Sequence, residues 1–151
     1  MRGANPEALV HSAMDMGIAF QRECEKILAR TCGYGVIQVK IVLFVSKKGD
    51  SVLQKELEPV FNLSRPAITQ LVDTMTANGL LYREMVEGDK RLKKVCLTDS
   101  GKSLARRSGL ELAKFYKLVG EALDAQDMKN LSLIVKKLRK KLEINSDQTA
   151  F

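Results

Sequence analysis

Apolar positions along this chain follow two rhythms, and the places where one gives way to the other mark its elements. From Asn5 to about Arg30, Leu9, Ile18, Ile27 and Leu28 recur among charged residues, which predicts one long helix. Asn5-Pro6-Glu7 starts it: Asn caps, Pro suits the first helical position, and Glu complements the dipole. Gly33-Tyr34-Gly35 ends it. Val36 to Val45 has the β-branched content of a strand, but Gln38 and Lys40 leave no clean alternation. Ile37, Ile41, Phe44 and Val45 share a helical face, so the reading is helix, closed by Lys47-Lys48-Gly49-Asp50. Ser51-x-x-Gln54 has the capping-box pattern and predicts a short helix with Leu53, Leu57 and Val60 inward, ended early by Pro59.

Ser64 caps the next predicted helix, with Pro66 in its first turn. Ile68, Leu71, Val72 and Met75 form one apolar stripe, and Asn78-Gly79 stops the helix. Arg65, Thr69, Gln70 and Asp73 remain outward. Two helices joined by the Phe61-Asn62-Leu63 turn, the second with polar side chains outward, make a helix-turn-helix. After Gly79 the rhythm changes to two. Residues 80–86 read as a strand, 87–90 as a turn, and 91–98 as a second strand on which Val95 and Leu97 are buried while Lys94 and Cys96 face away. A hairpin attached to a helix-turn-helix is a winged helix. Thr98 or Asp99 then caps a helix over about 99–121, and Asp124-x-x-Asp127 starts another with Leu131, Ile134, Val135, Leu138 and Leu142 on one side. Residues 145–151 are polar and expected to fray. The fold class is mostly α (α+β).

The 151 residues suffice for one domain with a real core. The longest apolar run, Ile41 to Val45, falls far short of the roughly 20 residues of a membrane span. No signal-peptide core is present, and three cysteines (Cys24, Cys32, Cys96) without a CxxC pair favour a reducing cytoplasm. A single histidine, His11, supplies no metal site, and the phosphate-loop, nucleophile-elbow, zinc-protease and EF-hand motifs are absent, so no enzyme activity, metal or cofactor is expected. Formal charge of +7 points to a polyanionic partner. The excess peaks over residues 62–107, with nine basic and five acidic groups, densest at Lys90, Arg91, Lys93 and Lys94. The second cluster, Lys136 to Lys141, reads as a solvated helix face.

The string Asp89-x-Arg91-x-x-x-Val95-x-Leu97-Thr98-x-x-Gly101, preceded by Leu71-Val72-Asp73 and Asn78-Gly79-Leu80, resembles the MarR-type transcription regulators. Gln54-Lys55-Glu56-Leu57 and Ser64 also fit. The resemblance implies a homodimer in which helices of segments 1–35 and 99–144 form the dimerisation part, while the 36–98 lobes grip a palindromic operator on double-stranded DNA. It implies that Asp89 orients Arg91 for the minor groove, and that a small-molecule effector or stress signal releases a repressor by changing the spacing of its recognition helices. Physical chemistry agrees with these roles. A carboxylate-held Arg gains from a narrow minor groove, and Lys90, Lys93 and Lys94 offer phosphate charge. Arg65 suits a guanine edge, Gln70 an adenine, and Thr69 a thymine methyl or a phosphate. Amides near Ser64 suit a phosphate, and Pro66 contributes shape. Asp73 is read as a structural salt-bridge or solvated residue and not as a reader, because its charge repels phosphate. Positions 70 and 74 are Gln and Thr, where many relatives are basic. Two other readings stand beside this one: a winged helix used for protein contact, and a cysteine-based redox-sensing repressor. Met14, Met16, Phe20, Phe44, Phe115 and Tyr116 are read as core or dimer seam rather than as an effector pocket.

Overall fold

The computed structural model describes residues 5–143, without the side chains of residues 31, 32, 90 and 91; the expected frayed tail at 145–151 lies outside the described residues. Its elements run α1 (Pro6–Cys32), α2 (Val36–Lys47), β1 (Ser51–Leu53), a 3-10 turn (Gln54–Glu56), α3 (Leu57–Phe61), α4 (Arg65–Ala77), β2 (Leu81–Val86), β3 (Asp89–Leu97), α5 (Asp99–Gly120) and α6 (Ala125–Leu142). Helix boundaries follow the capping chemistry. Asn5 accepts from the Glu7 N–H, Gly33 takes the left-handed conformation that closes α1, and Asp124 and Asp127 form the reciprocal box that opens α6. Thr98, not Asp99, caps α5, accepting from the Gly101 N–H at 3.0 Å.

The strand-like composition of α2 has a plain cause. Val39, Ile41, Val42, Phe44 and Val45 are all buried, so this helix lies in the middle of the core and keeps no broad polar face. Around it close Leu28 from α1, Leu57, the Ile68–Val72–Met75 stripe of α4, Leu80 and Leu81, and Leu104 and Leu112 of α5. Phe44 meets Phe61 edge-on at 5.9 Å. Outside this core, Phe20 of α1 meets Phe115 of α5 edge-on at 6.1 Å, and Met14 and Met16 are exposed. The expected face of α6 is exposed as well, from Leu131 to Leu142.

Three expectations are corrected. Ser51 caps nothing: Ser51–Leu53 is a third strand, antiparallel to β3 with Val52 opposite Val95, giving the sheet order β1-β3-β2. Helical geometry begins later, through the 3-10 turn, where the Glu56 carboxylate accepts from the Leu53 N–H at 2.7 Å, so the side chain that reaches back is Glu56 to Leu53 and not Gln54 to Ser51. Cys96 is buried at 5% exposure, not solvent-facing, because β3 is central and Ser51 and Tyr82 flank Cys96 in the register. The second strand of the hairpin also starts earlier, at Asp89, leaving a turn of Glu87 and Gly88.

Where the hairpin meets the helices, packing is closest at Gly101. A Cβ there would lie 2.2 Å from the Leu80 carbonyl oxygen. Gly101→Ala is therefore expected to cost about 2 kcal/mol of stability through overpacking, read as a lower urea midpoint; an unchanged midpoint would show that β2 and α5 part freely. A second tie joins α1 to α2. Lys40 Nζ lies 2.7 Å from the Glu25 carboxylate and, with a weaker bond from Gln21, holds that carboxyl below its ordinary value of 4.5. A depressed folded pKa adds stability above the unfolded value, lost as pH falls through the folded one. Glu25→Gln should thus be less stable than the parent at pH 7, and the gap should close below about pH 4.5 in parallel urea titrations.

Candidate nucleic-acid interface

The start of α4 is built to present side chains. Ser64 stands in extended conformation and its hydroxyl accepts from the Ala67 N–H at 3.4 Å, while Pro66 occupies a first-turn position that needs no donor. Burying Ile68 and Val72 leaves Ser64, Arg65, Pro66 and Gln70 exposed and Thr69 half-buried. Across from this turn, an open groove of about 630 Å³ is lined by Leu53, Gln54, Lys55 and Glu58, by Arg65 and Thr69 of α4, and by Leu92 and Lys93 of β3. Three cations, Lys55, Arg65 and Lys93, and one carboxylate, Glu58, line that space.

The groove brings together Arg65, Thr69 and Lys93 of the residues singled out in the sequence. Ser64 and Pro66 flank Arg65 on the same turn, and Gln70 is exposed one residue beyond Thr69. Lys94 does not join them. Adjacent strand residues point to opposite faces, and Lys94 is half-buried, paired in register with Leu53 on one side and Glu84 on the other. Asp89 is exposed opposite Val86. Between the pairs Met85–Lys93 and Val86–Asp89 the register slips, so residues 90–92 are extra on β3. Such bulges re-aim a strand. The backbone of Lys90 and Arg91 lies in this bulged stretch; their side chains lie outside the described residues.

Lys55, Glu58, Leu92, Gln54 and Arg83 are site or supporting residues that the sequence reading passed over. Arg83 on β2 ion-pairs with Asp73 of α4, donates through Nε to Gln54 Oε1 at 3.1 Å, and reaches the Thr69 carbonyl oxygen at 3.5 Å. Asp73 is thus the structural partner expected of it. The signal for Arg83 was its place two residues after Leu81, on the inward face of β2, where a guanidinium needs acceptors.

Among the described residues, no group of three His, Cys, Asp or Glu side chains is placed to hold a metal ion, and no helix is long and apolar enough to cross a membrane. Cys24 Sγ lies 3.9 Å from the Tyr116 hydroxyl, and burial beside that thiol pushes the Tyr116 pKa up to about 12. Burial, with Glu84 adding to it, pushes the Cys96 thiol up.

Residues 33–92 match the family model described as the MarR family. No curated protein matches the chain. Among solved structures, the fold is similar to that of AbsC, a MarR family transcriptional regulator from Streptomyces coelicolor, with a TM-score of 0.74 and 19% identity over 95% of this chain and 99% of that one. It is also similar to a mutant MarR from E. coli complexed with operator DNA, with a TM-score of 0.65 and 18% identity over 89% and 99% of the two chains. NadR in complex with 4-hydroxyphenylacetate aligns with a TM-score of 0.68 and 21% identity over 93% and 96%. These likenesses establish the winged-helix fold of such regulators for the chain.

The raised Cys96 thiol carries little thiolate at neutral pH. In the native protein at pH 7.5, Cys96 is expected to react with iodoacetamide far more slowly than in urea, followed by mass spectrometry. Equal rates in the two conditions would favour the redox reading.

Proposed function

We propose that this chain, which has the MarR-type fold and matches that family over residues 33–92, is a dimeric transcription regulator that grips operator DNA and acts as a repressor. The observation that carries the reading is the groove in which Arg65 of α4 and Lys93 of β3, far apart in sequence, face one space with Lys55. A helix start and a wing strand that converge their cations suit a duplex, whose phosphates line both grooves at regular spacing. In this reading Arg65 and Gln70 meet base edges, Thr69 meets a base edge or a phosphate, Ser64 and Pro66 shape the approach, and Lys90 and Lys93 serve phosphates, while Lys94, on the other face of β3, stays outside the groove. The bulged wing carries Arg91 to the minor groove, oriented by Asp89. Segment 36–98 is then the DNA-binding lobe.

The apolar faces of the terminal helices support the homodimer. Leu9, Met16 and Ile18 on α1, Leu110 and Leu118 on α5, and Leu131, Ile134 and Leu138 on α6 are each about half exposed or more. A monomer rarely exposes so many large apolar side chains on its terminal helices, and a second copy covers them by pairing segments 1–35 and 99–144. Release by a small ligand is a shift between geometries in which the two α4 helices match or miss successive major grooves. NadR has been seen with a small aromatic acid, which supports a small-molecule signal here. The work of such a protein is binding rather than catalysis, and its place is the cytoplasm. The buried Cys96 and the Cys24–Tyr116 contact favour ligand control over cysteine oxidation.

The test is binding to the chain's own upstream duplex at two salt concentrations, beside an unrelated duplex. Affinity is expected to fall steeply with salt, and Arg65→Ala, Lys93→Ala and Arg91→Ala should each weaken binding about tenfold while reducing the salt slope by about one. Equal, weak binding to both duplexes would favour a protein-contact role for the winged helix.

A further inference from the structure

Three threonines of α4 use their hydroxyls differently. Thr74 donates to the Gln70 carbonyl at 2.9 Å and Thr76 to the Val72 carbonyl at 2.8 Å, the usual return of a helical hydroxyl to its own backbone. Thr69 does not. Its Oγ1 accepts from Gln54 Nε2 at 3.1 Å, and among the described residues its hydroxyl proton is donated to no protein group.

The direction of that bond is fixed by chemistry. Arg83 Nε can only donate, so the Gln54 amide must turn its oxygen toward Arg83 and its NH2 toward Thr69. Arg83 is itself held, by the ion pair with Asp73 and by the Thr69 carbonyl. A hydroxyl whose oxygen already accepts is polarised as a donor, and the Thr69 side chain lies on the groove with Arg65 and Lys93. We infer that Arg83 and Gln54 form a relay that sets the Thr69 hydroxyl as an outward donor, so that it recognises hydrogen-bond acceptors on duplex DNA, either a phosphate oxygen or a base edge. Gln54 is then a positioning residue and Thr69 the contact. The inference rests on the DNA-binding function proposed above.

Thr69→Val removes the donor at constant volume and is expected to weaken binding to the chain's own upstream duplex about tenfold, the scale of one lost hydrogen bond. Thr69→Ser should restore most of it. Gln54→Met removes the amide while Arg83 keeps Asp73, freeing the Thr69 hydroxyl to turn back to the Arg65 carbonyl; the loss should match that of Thr69→Val. The double variant should then bind no more weakly than either single one, with all thermal midpoints alike. Equal loss on the upstream and an unrelated duplex identifies the acceptor as phosphate, and loss on the upstream duplex alone identifies a base edge; both support the relay. Parent-like binding by Thr69→Val, or additive losses in the double variant, overturns it while leaving the DNA-binding function intact. A parent chain that binds neither duplex in a salt-dependent manner overturns that function and the relay together.

Discussion

The joint between the winged lobe and its stem depends on how one hydroxyl is shared. Thr98 Oγ1 lies 2.6 Å from the Gly79 carbonyl and 3.1 Å from that of Leu80, while accepting from the Gly101 N–H. Gly79 and Leu80 connect α4 to β2, Thr98 follows β3, and Gly101 is in the first turn of α5, so α4, both strands of the hairpin and the long helix α5 come together at this atom. The meeting is so close that position 101 has no room for a Cβ against the Leu80 carbonyl. Thr98 N–H also donates to that carbonyl at 3.1 Å. A part-buried junction that ties three backbone groups to one hydroxyl holds their elements in one geometry. The hairpin is thereby fixed at its root.

From that root the site follows in two steps. Val52, Val95, Leu81 and Leu97 seat the sheet on the core, and Arg83, on the same face of β2 as Leu81, ties the sheet to α4 through its pair with Asp73 and its bonds to Gln54 and Thr69. Two attachments, one apolar and one ionic, hold the wing strands and the helix start as walls of one groove. An arginine suits the ionic tie because its fork reaches three acceptors on two elements at once, which a lysine ammonium on the same strand does not match in geometry.

Much of this was legible in the residues. Caps at Asn5, Ser64 and Asp124, the Ile68-to-Met75 stripe, and the Asp89-to-Gly101 string place the helices, the hairpin and the joint with their order intact, and the resemblance drawn from that string agrees with the family match over 33–92. What escaped is long-range. Ser51–Leu53 has the local chemistry of a helix cap, and only the open edge of β3, more than forty residues later, turns it into a strand. Cys96 alternates out of the core by period, yet being flanked on both sides in a three-stranded sheet buries it. Gln54, Lys55 and Glu58 enter the groove because of that same strand. The relay from Arg83 to Thr69 joins residues 14 and 29 positions apart, and no spacing rule along one element reports such pairs.

The stem helices are tied to the lobe through the same core, which makes control at a distance physically plain. α5 packs on both α1 and α2, and α2 lies at the centre of the hydrophobic core against which α4 and the sheet are built. Packed cores shift between discrete arrangements and do not deform smoothly. Under the proposed function, a molecule wedged where α1 meets α5 and α2 would shift α4 through this shared core, carrying Ser64, Arg65 and Thr69 with it. In a pair of such lobes the distance between two recognition helices must match the helical repeat of DNA, about 34 Å or a multiple of it. A rotation of a few degrees about the stem is enough to miss it. Under the proposed function, regulation thus needs no change inside the groove, only a change in where the stem holds it.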